Sequence, residues 1–258
     1  MKPTPFPSTD DRRYRRILGV RFFAGDAPEA VEAGARGGLV VAPAAPALVE
    51  LARDSEYRQA LLEADLVITD SGFLVLLWNL MNADRIHRVS GLEYLKLLLA
   101  RREFEEPGVA LWVMPSLASR ERNLDWLRTN GHPVQISDCY VAPRYVAGAI
   151  VDQSLVDLVT VRRPRHVVVC VGGGIQEKLG LYLKRHCAGK PAIHCIGAAI
   201  GFLTGDQVRI PDWADRKVLG WLFRCASNPR RFVPRYFRAL ALPLLLWRYR
   251  SRMPDPIA

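Results

Sequence analysis

Short apolar runs that alternate with longer stretches of helical periodicity constrain the fold of this chain more than any other feature. The runs occupy residues 39–42, 66–69, 109–114, 134–136, 166–171 and 192–196. Between them, residues 47–62, 117–130 and 145–161 carry apolar side chains at helical spacing. The alternation predicts βαβ units and therefore an α/β fold, a Rossmann-like parallel sheet with helices on both faces.

Composition divides the chain into three segments. Residues 1–16 are predicted to be a polar N-terminal tail without the apolar stretch of a secretory signal. Residues 17–204 form the predicted Rossmann-like domain, and residues 205–258 form a helical C-terminal appendage that is basic and aromatic. The longest apolar run, 239–247, is far short of the roughly 20 residues that cross a bilayer. We therefore expect a cytoplasmic protein, either soluble or lying on a membrane surface.

The positive charge of the chain is concentrated near its C-terminus. The net charge is +10, and residues 203–258 contain 11 basic and four acidic side chains. Aromatic residues are interleaved with these basic residues. Such a segment fits three interpretations: a nucleic-acid-binding surface, a surface that lies on anionic lipid, or a solvated and inert tail. Composition leaves all three open.

The cysteines and histidines do not indicate a metal site or a disulfide framework. The five cysteines include no CxxC pair, and the five histidines include no HxxxH or HExxH spacing. No GxSxG sequence indicates a serine nucleophile. We expect no metal cofactor.

A glycine-rich loop follows the apolar run 166–171. Gly172, Gly173 and Gly174 would let backbone N–H groups approach a ligand, and the next helix would offer its positive end to a phosphate. Gln176 and Glu177 lie in the first turn of that helix. The alternative is an ordinary strand-to-helix turn in which Glu177 complements the helix dipole.

Two further loops carry polar residues at predicted strand or helix ends. Asp70 follows the run 66–69, where a general base would be placed, but Asp70 or Ser71 would equally serve as the N-cap of the next helix. Ser90 and Glu93 have the spacing of a capping box. Arg88, just before them, is either a surface charge or an anion-binding group in the same crevice.

These loops, in this order, resemble the bacterial WecG/TagA/CpsF glycosyltransferases, glycosyltransferase family 26. The resemblance rests on ILGV at 17–20, ADLVITDSG at 64–72, RVSG at 88–91, GGGIQEK at 172–178 and IGAAIGFLTG at 196–205. It continues through RIPDW at 209–213, GWLFR at 220–224 and NPRR at 228–231. The family pattern treats the first of these segments as an opening strand.

The resemblance implies an inverting hexosyltransferase of cell-surface polysaccharide or exopolysaccharide biosynthesis. Such an enzyme moves a sugar from a nucleotide-sugar, typically a UDP-sugar, to a polyprenyl-diphosphate-linked saccharide, without a metal and at the cytoplasmic face of the membrane. Asp70 would be the base and Gln176, with Glu177 beside it, would contact the donor. Further substrate-binding residues implied are Gly172, Gly173, Gly174, Gly197, Ala198, Arg88, Arg209, Arg216, Arg224 and Arg231.

The sequence departs from the family pattern at several places near the expected donor pocket. Thr69 replaces a proline, Gly201 replaces an aspartate, and residues 42–44 read Ala-Pro-Ala where the family has a T-x-N segment. The loss at 42–44 leaves a non-catalytic nucleotide-sugar-binding or scaffold subunit as an alternative, and the basic tail leaves a nucleic-acid-binding protein as another. The resemblance favours a peripheral membrane protein without nucleic acid, and the tail aromatics would also suit the interface of a homo-oligomer.

Overall fold

The computed structural model describes residues 13–146, 148–197, 199–207 and 220–256. Eight strands form one sheet in the order β1-β2-β4-β3-β8-β7-β5-β6. β1 is antiparallel to β2, and the other strand pairs are parallel. The strands are β1 Tyr14–Ile17, β2 Val20–Phe23, β3 Gly38–Val41, β4 Leu66–Val67, β5 Ala110–Met114, β6 Cys139–Val141, β7 His166–Val169 and β8 Ala192–Cys195.

Helices cover both faces of the sheet, so the predicted α/β fold is confirmed. The helices before the gap in the description are α1 Ala27–Gly34, α2 Ala45–Leu48, α3 Ser55–Leu62, α4 Gly72–Met81, α5 Gly91–Leu99, α6 Leu117–Thr129, α7 Gln153–Arg162, α8 Ile175–His186 and α9 Ala199–Thr204. The C-terminal helices are α10 Gly220–Ser227, α11 Pro229–Ala239 and α12 Leu242–Tyr249. Short 3₁₀ turns occupy Val49–Ala52, Arg102–Glu105 and Ile136–Asp138.

The two apolar cores follow from the alternation of side chains along each strand. In β3, Leu39 and Val41 join the core that contains α2, α3, α4 and α8, whereas Val40 joins the core that contains α1, α5 and α9. β7 divides in the same way, with Val168 on the second face. Because both faces are covered, the central strands are apolar throughout.

The strand order creates a crevice at the carboxyl ends of the central strands. The chain places β2, β4 and β3 on one side, crosses over after β4, and builds β5 to β8 on the other. The two halves meet where β3 pairs with β8. In open parallel sheets, ligands bind at such a reversal.

Three predicted elements have different bounds in the structure because side chains cap the backbone locally. The strand predicted at 134–136 is wrong: Asp138 accepts the Gln135 N–H at 2.8 Å, closing a 3₁₀ turn, and the strand begins at Cys139. The single helix predicted over 47–62 is broken where Asp54 accepts the Tyr57 N–H and starts α3. The helix predicted from 145 begins only at Gln153, after the N-cap Asp152.

The ILGV segment at 17–20 is a hairpin turn and not a single strand. Leu18 and Gly19 both have positive φ, 48° and 77°, the conformation of a turn that joins adjacent antiparallel strands. The C-terminal segment covers this turn: Leu18 N–H donates to the Arg250 carbonyl at 2.7 Å and Gly19 N–H to the Ser251 carbonyl at 3.1 Å. β1 itself begins at Tyr14, inside the segment predicted as a tail.

The described end of the appendage packs on the sheet domain. Leu242 and Leu246 of α12 are fully buried in the same core as Ile17 and Leu74. Arg58 of α3 donates to the Pro254 carbonyl at 3.0 Å. Within the part of the chain that the structure describes, no helix has both the length and the apolar character to span a bilayer.

Candidate active site

Asp70 lies at the carboxyl end of β4 and is held by the start of another helix. Ser71, and not Asp70, caps α4 by accepting the Leu74 N–H at 3.2 Å. Asp70 Oδ1 accepts the N–H of Gly91, the first residue of α5, at 2.8 Å. No hydrogen bond to Oδ2 is found among the described residues. One carboxylate oxygen is therefore fixed at the positive end of a helix while the other is available to a ligand.

The loop before α5 is tied to the end of β4. The buried Thr69 hydroxyl donates to the His87 carbonyl at 2.6 Å and accepts the Val89 N–H at 3.2 Å. Arg88 Nε donates to the Asp70 carbonyl at 2.9 Å. Ser90 caps α5 as predicted, accepting the Glu93 N–H at 3.1 Å. The predicted capping box is not completed, because no return bond from the Glu93 side chain to the Ser90 N–H is found among the described residues. Thr69 therefore replaces the family's proline with a side chain that fixes the loop carrying Arg88 beside Asp70.

Gly91 lets α5 approach the end of β8. A Cβ at this position would lie 3.0 Å from the Ile196 carbonyl oxygen and 3.8 Å from Asp70 Oδ1. That separation from the carbonyl is tighter than most Cβ contacts. Asp70 is consequently brought alongside the segment that leaves β8 toward Gly197.

The helix end after the glycine loop is occupied by the chain's own carboxylate. Glu177 is fully buried, and its Oε2 accepts the Gly174 N–H at 2.6 Å. The N–H groups of Ile175 and Gln176 both point to the Gly172 carbonyl. The expectation that this helix end presents N–H groups to a phosphate is therefore wrong, because Glu177 already supplies the negative charge that such an end attracts. The glycines keep their steric role: a Cβ on Gly172 or Gly174 would meet open space.

Gln176 carries a buried hydrogen-bond acceptor beside Gly197. It is 2 % exposed, and its Nε2 donates to Glu177 Oε1 at 3.1 Å. Its Oε1 has no hydrogen-bond partner among the described residues. A Cβ on Gly197 would lie 3.5 Å from that oxygen. Buried polar atoms are nearly always paired, so this enclosed oxygen is an exception among the described residues.

A groove of about 480 Å³ opens beside the glycine loop. Its size is that of a small-molecule site. Gly173 and Gly174 form one wall, and α11 forms another with Arg230, Pro234 and Arg238. The other lining residues, from α2, α3 and the turn between them, are Pro46, Ala47, Glu50, Asp54 and Tyr57. Lys178 Nζ lies 3.0 Å from Asp54 Oδ2 at this wall.

Asp70 and the groove flank the end of β8 from opposite sides. Asp70 is linked to Ile196 through Gly91, and the Gln176 amide lies against Gly197. β4 and β7 are separated by β3 and β8, which corresponds to about 14 Å at the usual strand spacing. The carboxylate after β4 and the glycine loop after β7 therefore lie along the same edge of the sheet.

Several predicted substrate-binding residues lie outside the described residues. These are Ala198, Arg209 and Arg216. Arg224 and Arg231 fall in α10 and α11, but their side chains are likewise outside the description. Sequence reasoning missed Arg230 and Arg238, although their spacing of eight residues on one helix, with Pro234 midway, places them on a common face.

The described residues contain no group of three or more His, Cys, Asp and Glu side chains that could hold a metal ion. The described cysteines are free thiols, and burial raises the pKa of the Cys170 and Cys195 thiols above the ordinary value. These thiols are therefore protonated core residues and not nucleophiles.

A doubly wound sheet with a carboxylate and a ligand-sized groove at the carboxyl ends of its central strands defines a Rossmann-like protein that binds a small molecule. Comparison with known proteins gives the family. The family model described as "Glycosyl transferase WecG/TagA/CpsF family" matches residues 15–255, and the chain belongs to this family. The chain is a glycosyltransferase, and the predicted enzyme class is confirmed.

One curated relative is 24 % identical over 214 residues, which cover 77 % of this chain and 77 % of the relative. It is the N-acetylglucosaminyldiphosphoundecaprenol N-acetyl-beta-D-mannosaminyltransferase of Bacillus subtilis (strain 168). Its name describes a sugar transferase that acts on a saccharide linked to a polyprenyl diphosphate.

Proposed function

We propose that this protein is an inverting glycosyltransferase that moves a sugar from a UDP-sugar to a polyprenyl-diphosphate-linked saccharide in cell-surface polysaccharide synthesis. The observation that carries the proposal is the Asp70 carboxylate at the carboxyl end of β4, whose Oδ1 is fixed by the Gly91 N–H and whose Oδ2 has no hydrogen bond from a described residue. The family membership and the activity in the relative's name support the substrate classes.

In this mechanism Asp70 acts as a general base. Asp70 Oδ2 takes the proton of the acceptor hydroxyl. At the same time the hydroxyl oxygen forms a bond to C1 of the donor sugar. The bond between C1 and the nucleoside diphosphate oxygen breaks on the opposite face, so the anomeric configuration inverts. A well-placed base of this kind contributes a factor of about 10² to 10⁴.

The leaving diphosphate gains negative charge as the bond breaks and needs positive groups nearby. Arg230 and Arg238, which line the groove, supply this positive charge. The N-terminal end of α8 does not supply it, because Glu177 already occupies that end. Arg88, half-buried beside Asp70, is the corresponding cation at the other end of the crevice. No metal is required by this arrangement, since arginine can stabilise a leaving phosphate.

The nucleotide donor is assigned to the groove. The absence of side chains at Gly173 and Gly174 admits it closely. The donor contact that the family resemblance gives to Gln176 stays a prediction, because Gln176 is not among the residues that line the groove. Residues 42–44 leave α2 without a side-chain cap at Ala44. The family's threonine and asparagine are therefore missing where side chains would contact the donor sugar, and the proposal names no particular sugar.

The C-terminal helices carry the lipid-facing surface of the proposal. Five exposed apolar side chains occur here: Val233 and Phe237 on α11, Leu240 in the following turn, and Leu244 and Trp247 on α12. We call these five side chains the apolar stripe. Exposed arginines at 238, 248 and 250 border it, or lie within one turn of it. A stripe of apolar and basic residues suits the surface of an anionic bilayer, where the acceptor lipid is anchored, better than it suits nucleic acid.

The direct test is a donor screen followed by a transfer assay. UDP-sugars that bind the native protein should raise its unfolding midpoint. The best of them should then be consumed only when an undecaprenyl-diphosphate saccharide is added. UDP binding without turnover against several lipid-linked acceptors would contradict the proposal and favour a non-catalytic subunit.

A further inference from the structure

Four polar side chains contact one another in a row within the core, on the face of the sheet covered by α5. They are Tyr94 of α5, His194 of β8, His166 of β7 and Glu103 of the 3₁₀ turn Arg102–Glu105. The first three are fully buried, and Glu103 is 11 % exposed. We call these four residues the polar relay. Neither the crevice nor the groove includes any of them.

The contacts of the polar relay run in one line. The Tyr94 hydroxyl lies 3.0 Å from His194 Nδ1, and His194 Nε2 lies 3.0 Å from His166 Nδ1. His166 Nε2 then lies 3.3 Å from Glu103 Oε1, a charge-oriented contact and not a well-aligned hydrogen bond. The two imidazoles are stacked, with ring centroids 5.3 Å apart.

The charge on Glu103 fixes the direction of every proton in this line. Burial acts to raise the pKa of Glu103, but the hydrogen bond from Arg101 and the surrounding positive charges lower it overall, so a carboxylate faces His166. Arg165 adds a second cation at 2.9 Å. His166 therefore keeps its proton on Nε2, and its Nδ1 accepts from His194. His194 Nδ1 in turn accepts from the Tyr94 hydroxyl.

The polar relay ends one helical turn from the residue that holds Asp70. Tyr94 N–H donates to the Ser90 carbonyl at 2.9 Å, and Gly91 N–H donates to Asp70 Oδ1. Gly34 of α1 leaves room for the Tyr94 hydroxyl, since a Cβ there would collide with it. The rotation of the first turn of α5 is thus set by a directional bond to the sheet as well as by apolar packing.

We propose that Tyr94 is a positioning residue, and that the polar relay fixes the first turn of α5 so that Gly91 holds the Asp70 carboxylate for proton transfer. The inference rests on the proposed function. Apolar packing alone would tolerate small shifts of the helix, whereas catalytic geometry is sensitive to displacements of about 1 Å. An O–H···N bond inside the core selects one arrangement.

The test compares Y94F with Y145F in the full-length protein. Y94F removes the hydroxyl that begins the polar relay, and Y145F removes a hydroxyl bonded to Asp152 near β6, away from the crevice. For Y94F we expect kcat to fall by about 10- to 100-fold with little change in KM for the donor. Y145F should keep the wild-type kcat even if it is less stable. Equal kcat values for Y94F and wild type would overturn the proposal.

A second variant tests whether the four groups act as one unit. E103Q removes the charge that orients the line, at the end opposite Tyr94. Both changes interrupt the same polar relay. The Y94F/E103Q double variant should therefore lose no more kcat than the worse single variant. Multiplicative losses would show two independent structural defects and would contradict the proposal.

Histidine tautomers give a readout that does not depend on activity. Nitrogen NMR shifts should show both His166 and His194 as neutral imidazoles protonated on Nε2, and Y94F should move the Nδ1 signal of His194. An Nδ1–H tautomer at either histidine would refute the polar relay. A wild-type protein with these tautomers but no sugar transfer would instead refute the proposed function.

Discussion

The Gly91 backbone N–H donates to Asp70 Oδ1 at 2.8 Å and joins the end of β4 to the first turn of α5. Two segments that are 21 residues apart in sequence are thereby fixed at the carboxyl edge of the sheet. The bond uses one oxygen of the carboxylate and leaves the other without a hydrogen bond from a described residue. The site therefore depends on the placement of a helix as much as on the identity of the acidic residue.

Replacing Gly91 with alanine should disturb this arrangement. The new Cβ would lie 3.0 Å from the Ile196 carbonyl oxygen, so α5 or the segment after β8 must shift. We expect G91A to lose about 1 to 3 kcal/mol of unfolding free energy and to lower kcat. Chemical denaturation and transfer assays measure the two effects. G189A is the control, because a Cβ there meets open space; equal behaviour of the two variants would contradict the account.

Removing the groove arginines should weaken nucleotide binding. Arg230 and Arg238 are exposed, so each contributes no more than a modest charge interaction with the diphosphate. We expect R230A and R238A each to raise the Kd for UDP by up to about fivefold. The loss should shrink at high salt, where these charges are screened. Calorimetric titration measures the Kd, and R36A, in the turn after α1, is the control for net charge. UDP affinity that is the same in R230A, R238A and wild type would remove α11 from the donor site.

Polar substitution in the apolar stripe should release the protein from membranes without unfolding it. Leu244 and Trp247 are 65 % and 67 % exposed, so serine at these positions leaves the core intact. L244S and W247S should sediment less with vesicles that contain anionic lipid. L62S, at an exposed leucine on α3, is the matched control. If the stripe variants and L62S sediment alike, the lipid-facing surface lies elsewhere.

Acid should destabilise the protein through the buried histidines. Burial lowers the pKa of His166 and, more strongly, of His194, whose neighbour His166 adds to the effect. The unfolded chain therefore binds protons below about pH 6.5 that the folded chain does not. The free energy of unfolding should fall as the pH drops from 7.5 to 5.5, a range in which Glu103 stays ionised. Urea denaturation at several pH values measures it.

The variants H166Q and H87Q separate this effect from general acid sensitivity. H166Q removes one of the two buried titrating groups and should make the pH dependence shallower, leaving the part that comes from His194. H87Q removes an exposed histidine and should leave it unchanged. A wild-type stability that is constant over this range would contradict the assignment of neutral, buried imidazoles.

The positions of the site loops were predictable because a physical rule places them. Polar residues that follow buried parallel strands must meet at one edge of the sheet, and Asp70 and Gly197 do so. The Ser90 cap was also predictable, since capping depends on local spacing. The class of fold followed from the same periodicity of apolar residues.

Other features depend on tertiary contacts that spacing does not encode. Burial decides whether the Glu177 side chain bonds to the Gly174 N–H or leaves the helix end open. The glycine sequence is the same in both cases, so it does not predict which one occurs. Arg230 and Arg238 become groove residues only because α11 packs beside α2. The hairpin at Leu18 and Gly19 lacks the Asn-Gly signal of such turns and is instead covered by the C-terminal segment.

The central claim is that Asp70 takes the proton of the acceptor hydroxyl. The most direct measurement is single-turnover sugar transfer by D70N, with D157N on the exposed face of α7 as the control. We predict that D70N loses a factor of about 10² to 10⁴ in rate while keeping its fold and its Kd for UDP, and that D157N matches wild type. Transfer by D70N at the wild-type rate would contradict the account.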